Sequence, residues 1–209
     1  MLSITPSGGV SLVTYQSHYC HMTAMFYADN SAMEILQRLH QFDSRLLARL
    51  FRQGERRAIV PLARAISRSG DGYLHLLILL ALAAAGAQSI GSLTTLLGLA
   101  LILERGLYWV LKNGLKRRRP QEIVPGFRSL IIASDQFSFP SGHSSASFLL
   151  ATALCLVYGP ALVIMFLWAA LVALSRVVLG VHFPGDTLAG ALMGSTCCLF
   201  TASVLGILA

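Results

Sequence analysis

The sequence predicts an all-α fold: a polytopic membrane bundle of five helices, or six if one crosses near the N-terminus. Three observations carry that expectation. The composition is 55% hydrophobic and only 12% charged, where an ordinary soluble domain carries about 25% charged residues. The apolar residues gather in runs that approach the ~20 residues of a straight span. The polar residues of the motifs below sit at the ends of those runs. A mean hydropathy of +0.67 agrees, and 209 residues are enough for one domain.

Residues 1–30 form a poorly defined segment with Gly8-Gly9 and no clear period. It lacks a positive stretch followed by an apolar core, so no cleavable signal peptide is expected. Cys20 lies between His18 and His21, but two histidines and one cysteine fall short of four spaced ligands. No metal site and no cofactor are expected.

Residues 31–69 read as an amphipathic helical region. Ser31-x-x-Glu34 has the pattern of a capping box. Ile35, Leu36, Leu39, Phe42, Leu46, Leu47 and Leu50 then recur at helical spacing, interleaved with Arg38, Arg45, Arg49 and Arg52. The expected place is the membrane interface; the alternative is a helix packed on the domain's own surface. Pro61 separates this helix from a second basic-apolar stretch, Arg56 to Arg68.

Residues 70–209 form the membrane-embedded domain, with apolar segments at 72–88, 91–111, 144–158, 161–179 and 187–208. The third is short for a span, which is expected if it starts below the membrane surface beside a sunken site. Gly159-Pro160 breaks the third from the fourth into a tight hairpin. Glu104 and Arg105 lie within the second, where mutual pairing is the default and substrate contact the alternative. Cys155, Cys197 and Cys198 sit in apolar runs as small buried hydrophobes.

Net charge is +7, which suits nucleic acid, anionic lipid or a phosphorylated substrate. No aromatics interleave with the basic run and no nucleic-acid motif occurs, so nucleic acid is excluded. Membrane head groups and a phosphorylated lipid are the expected partners.

Three motifs sharpen this: Lys112-x6-Arg119-Pro120, Pro140-Ser141-Gly142-His143 and Ser175-Arg176-x5-His182-x3-Asp186. Alternating spans put the end of the second helix, the start of the third, the end of the fourth and the start of the fifth on one membrane face, so the motifs converge. Lys112, Arg119 and Arg176 are cations for a phosphoryl group, whose charge spreads over its oxygens during transfer. Ser141 and Gly142 precede a helix whose first-turn N–H groups suit an anion. His143 follows as a proton carrier. His182 is the candidate nucleophile, with Asp186 close enough in sequence to hold its second nitrogen. Lys116, Arg117 and Arg118 read as a basic anchor on anionic lipid, with a diphosphate's extra charge as a further possible use.

On these three motifs the chain resembles the type 2 phosphatidic acid phosphatase superfamily over roughly residues 70–200. The resemblance implies a metal-independent lipid phosphatase with a phosphohistidine on His182, Asp186 orienting it, and His143 acting as general acid and then base. The compact bundle looks most like bacterial undecaprenyl-diphosphate phosphatases. Phosphatidylglycerophosphate and phosphatidate phosphatases and lipid phosphotransferases share the motifs, and a phospholipid-binding scaffold or transporter is the non-enzyme alternative. The positive-inside rule assigns the motif face to the cytoplasm. Relatives work on the periplasmic face, and site cations distort the count, so the expectation is a bacterial inner-membrane protein with a periplasmic site.

Overall fold

The computed structural model describes residues 34, 38–52, 59–133 and 135–207, and every regular element among them is helical. Two compact units divide the chain, Met1–Phe42 and Asp43–Ala209. In the first, residues 34 and 38–42 are helical, and Arg38 pairs with Glu34 one turn away at 2.8 Å. The capping box at Ser31 and the Cys20 group lie outside the described residues.

The second unit begins with helical residues 43–52, α1. It continues through α2 (Ile59–Ser69), α3 (Tyr73–Ala84), α4 (Ile90–Leu115), the short α5 (Pro120–Ile123), α6 (Gly142–Tyr158), α7 (Ile164–Val178) and α8 (Pro184–Val204). α1 lays apolar side chains on the bundle. Leu47 packs with Val177 and Phe183, Phe51 meets the Phe127 ring at 4.5 Å, and Arg45, Arg49 and Arg52 point outward. Pro61 sits in the first turn of α2, where no N–H partner is needed.

Three helical stretches among the described residues are long and apolar enough to cross a membrane: Ile90–Ile123, Pro160–Val178 and Pro184–Val204. α3 is shorter than its expected segment, ending at Ala84. Gly86 adopts φ +64°, and the N–H groups of Ala85, Gly86 and Ala87 turn back onto Ala81, Ala83 and Leu82, a left-handed stop that stretches of apolar sequence conceal.

α6 explains its own brevity. Its 17 residues reach only about 26 Å, but it is the central helix, packed against α4, α7 and α8. Leu149, Leu150, Ala153 and Leu154 join Leu93, Leu96, Leu97 and Ala100 of α4 in the core. The contact with α8 is a close one: a Cβ on Gly190 would stand 2.4 Å from Ser141 O, and one on Gly194 2.0 Å from Ser145 O. Glycines four apart on α8 thus seat serines four apart on α6, the small-residue packing that lets two backbones touch inside a bilayer.

Outside, α4, α7 and α8 present Ile102, Trp109, Leu167, Leu171, Leu188 and Leu192 outward, while Glu104, Arg119, His182 and Asp186 are buried. Apolar surface around a polar interior is the pattern of a protein solvated by lipid. Glu104 is paired as expected, accepting Arg105 Nε at 2.5 Å.

Candidate active site

The expected convergence is met at one end of the bundle. The C-terminal turn of α4 carries Lys112, the linker before α5 carries Arg119, and the start of α6 carries Ser141, Gly142 and His143. The last turn of α7 holds Arg176, the connection to α8 holds His182, and the first turn of α8 holds Asp186. His143, His182, Arg176 and Gly142 line one cavity of about 620 Å³.

His182 is almost wholly buried. Its Nδ1 lies 3.7 Å from Asp186 Oδ2, beyond hydrogen-bond reach but close enough for charge to matter. Burial pushes the imidazole down to about 4 against the raising pull of Asp186, with Arg119 and Arg176 pushing the same way as burial. The ring is therefore neutral at physiological pH, with a lone pair free.

Asp186 does more than face His182. Its Oδ2 accepts the Phe183 N–H at 2.8 Å at the start of α8, and its Oδ1 accepts Arg117 at 2.6 Å. The other arm of Arg117 reaches Asp43 Oδ2 at 2.6 Å, and Asp43 Oδ1 accepts the Gly185 N–H at 2.8 Å. The Arg117 guanidinium lies 4.3 Å over the Phe183 ring. Here the lipid-anchor reading of Arg117 is corrected. Two carboxylates and an aromatic face draw its planar fork inward, leaving Lys116 and Arg118 exposed beside it.

Lys112 and Arg119 come together on Asp135, which pairs with both. Tyr108 completes the group, donating to Asp135 Oδ2 at 2.6 Å and accepting from Lys112 at 2.7 Å. Burial acts to raise the Asp135 carboxyl, but the hydrogen bonds and charges of Lys112, Tyr108 and Arg119 outweigh it and hold it at about 2. Asp135 lines the main cavity; Lys112 lines a smaller one beside it. Arg119 also donates to Val181 O at 2.5 Å, bracing the residue before His182.

Ser141 is fully buried. Its N–H donates to Asp186 O at 3.0 Å, and its hydroxyl accepts from Ser144 at 3.1 Å. It ties the start of α6 to the start of α8, so that N–H does not point to a ligand. His143 Nε2 lies 2.5 Å from Asp71 Oδ1; a carboxylate only accepts, so Nε2 carries the proton. Among the described residues no group of three or more His, Cys, Asp or Glu side chains is arranged to hold a metal.

Asp71, Asp135, Tyr108 and Asp43 were not anticipated from the motifs. Asp71 left a signal, since Ser69-Gly70-Asp71-Gly72 is a turn opening an apolar segment, and alternation puts that end on the motif face. Asp135 and Asp43 left none, for both act at long range in the chain.

A lipid-solvated bundle enclosing two histidines and a buried arginine defines an integral membrane enzyme that works on anions. Residues 93–207 match the family model described as the PAP2 superfamily, and the chain belongs to that superfamily of membrane lipid phosphatases. It is 29% identical to the decaprenylphosphoryl-5-phosphoribose phosphatase of Mycobacterium tuberculosis (strain ATCC 25618 / H37Rv), over 73% of this chain and 84% of that one. It is 36% identical to YbjG of Escherichia coli (strain K12), provisionally named an undecaprenyl-diphosphatase, over 49% of this chain and 52% of that one. The crystal structure of Aquifex aeolicus LpxE superposes with a TM-score of 0.66 at 26% identity, covering 76% of this chain and 93% of that one.

Proposed function

We propose that this membrane phosphatase hydrolyses a lipid phosphate or diphosphate, foremost undecaprenyl diphosphate, through a phosphohistidine on His182. The observation that carries the reading is that a neutral, buried His182 and a protonated His143 Nε2 line one cavity with Arg176. Nδ1 of His182 lies on the Asp186 side, leaving Nε2 to attack phosphorus. As the P–N bond forms, the P–O bond to the leaving group breaks. His143, as the imidazolium with its Nε2–H on Asp71, gives its other proton to the departing oxygen and is left neutral. Arg176, with Lys112 and Arg119, offsets the charge on the phosphoryl oxygens, which displace the Asp135 carboxylate from the last two. In the second half His143 takes a proton from water. The hydroxide attacks the phosphohistidine, and inorganic phosphate leaves a neutral His182. No metal takes part in either half.

A monoester of a polyprenyl-linked sugar is the second reading. It is favoured by the mycobacterial relative, which matches over 84% of its length where YbjG matches over 52%. Undecaprenyl diphosphate, phosphatidylglycerophosphate, phosphatidate and a water-soluble monoester, offered separately to the purified protein, test substrate class. Phosphate release from undecaprenyl diphosphate ahead of the others is expected, together with an acid-labile, base-stable phosphoenzyme. A panel without turnover, or turnover without a trappable intermediate, refutes the corresponding part. We further propose a periplasmic site in a bacterial inner membrane, tested by turnover of a membrane-impermeant substrate in intact spheroplasts.

A further inference from the structure

A second cavity, of about 480 Å³, adjoins the first; the two share Asp71, His143 and Arg176, whereas His182 lines only the first. His143 and Arg176 therefore stand at the partition. The far side is supplied by α2, whose Arg64 and Arg68 line the second cavity one helical turn apart. Arg64 is held by a 2.8 Å bond to Leu130 O, while Arg68 has no ion-pair partner among the described residues. Arg176 is buried, gives one N–H to Ser67 Oγ of α2 at 2.7 Å, and leaves its Nε without a partner. Three guanidinium groups thus line a space to which Asp71 contributes the one carboxylate among the described residues.

The chemistry assigns the two spaces different parts of the substrate. Phosphorus must meet His182, and the oxygen that departs must meet His143. Whatever that oxygen is bonded to continues past His143, into the cavity that His182 does not touch. A neutral alcohol there would need no cations. Three guanidinium groups against one carboxylate suit a leaving group that is itself an anion.

We propose that the second cavity is a leaving-group subsite in which Arg64 and Arg68 bind the lipid-linked phosphate of a diphosphate substrate. The inference rests on the phosphatase reading above and narrows it to the class of diphosphate esters. In the step concerned, the bond from the terminal phosphorus to the bridging oxygen breaks, and its electron pair stays with that oxygen. His143 supplies a proton, and a lipid monophosphate remains among the arginines while the terminal phosphoryl rides on His182. Leu130, Ile131 and Ile132 at the rim offer apolar surface to the first carbons of the lipid alcohol. Arg64 and Arg68, rather than Lys116 and Arg118, are then the cations for the extra charge.

The test compares undecaprenyl diphosphate with undecaprenyl phosphate, the same alcohol with one phosphate fewer, using full-length enzyme in neutral detergent. The readout is the ratio of the two kcat/KM values for wild type, Arg68→Gln and Arg64→Gln/Arg68→Gln. Hydrogen bonds to charged groups contribute about 1.5–3 kcal/mol each, so the ratio should fall about tenfold or more for the single variant and further for the double. Arg68→Lys should restore part of it. Arg68 is exposed and its side chain has no ion-pair partner among the described residues, so the single variant should melt like wild type. A ratio that stays at the wild-type value overturns the proposal. So does a loss seen only in vesicles of anionic lipid and absent in neutral detergent, which would make the arginines head-group anchors. Wild type inactive on both substrates would fail the phosphatase reading itself, an outcome distinct from an unchanged ratio.

Discussion

Replacing Arg117 by Gln tests whether the nucleophile depends on a residue that touches no substrate. Arg117 bridges Asp186 and Asp43 at 2.6 Å each, with its side chain only 25% exposed and Asp186 fully buried. Removing one partner of a buried ion pair costs about 3–5 kcal/mol, because the other charge stays behind unpaired. For a chain of this size that corresponds to a melting temperature lower by roughly 6–20 °C. The local effect is more specific. Without Arg117, the Asp186 carboxylate is no longer offset by that guanidinium and acts more strongly on His182, 3.7 Å away. His182 should then hold its proton to higher pH. In wild type the ring loses its proton near pH 4, so phosphoenzyme formation should rise as pH climbs through that value and be insensitive to His182 titration above it. In Arg117→Gln the rise should move up toward the ordinary histidine range near 6.5. Rapid-quench measurement of phosphoenzyme formation between pH 3.5 and 8 reads the limb directly. Asp43→Asn should shift it in the same direction by less, and the double variant should add little to Arg117→Gln. A limb that stays near pH 4 in Arg117→Gln would refute the coupling, whatever happened to stability.

Four further outcomes are expected. His182→Ala should abolish turnover and phosphoenzyme on every substrate, whereas His143→Ala should slow phosphoryl transfer more for monoesters than for diphosphates, by up to about 10²–10⁴-fold; single-turnover rates that fall equally would make His143 positional. Asp71→Asn should leave substrate affinity near wild type while lowering kcat and altering its pH profile, checked by the split between KM and kcat. Gly194→Ala drives a methyl group into Ser145 O, so the α6–α8 contact must open, and thermal melts in detergent should show a loss of several °C together with activity. Turnover should survive EDTA and be inhibited by vanadate, which adopts the pentacoordinate geometry of phosphorus in transfer; loss on chelation, restored by a divalent ion, would refute a metal-free mechanism.

The parts of the fold that were legible in the sequence are those governed by local hydropathy. The segments at 91–111, 144–158 and 161–179 lie within a few residues of α4, α6 and the Pro160–Val178 stretch, because apolar runs and Gly159-Pro160 are local signals. The left-handed stop at Gly86 was hidden by the alanines around it. Gly190 and Gly194 carry a clear small-residue spacing, but their partners, Ser141 and Ser145, become meaningful only once the helices are paired. At the site, the histidines and Arg176 could be read because motif and span alternation agree. Arg117 was misread because a cation in a basic run resembles its neighbours until Asp43 and Asp186, 74 and 69 residues away, come into reach. Carboxylates that compensate cations obey no fixed spacing, so Asp43, Asp71 and Asp135 emerge only in three dimensions.

The main-chain contact between α6 and α8 bears on how the enzyme tolerates different membranes. Bilayers vary in thickness by several ångströms, and helices answer by tilting or by drawing lipid inward. α3 packs mainly on α4, with few contacts to the rest of the bundle, and can respond. His143 and His182 are joined by a shorter route: Gly190 and Gly194 lie against the backbone of Ser141 and Ser145, and the Ser141 N–H is bonded to Asp186 O. No side-chain rotamer or lipid intervenes along that path. The main chains that carry the two histidines are thus tied together directly, and changes in acyl-chain length should alter access to the cavity more than the placement of those two segments.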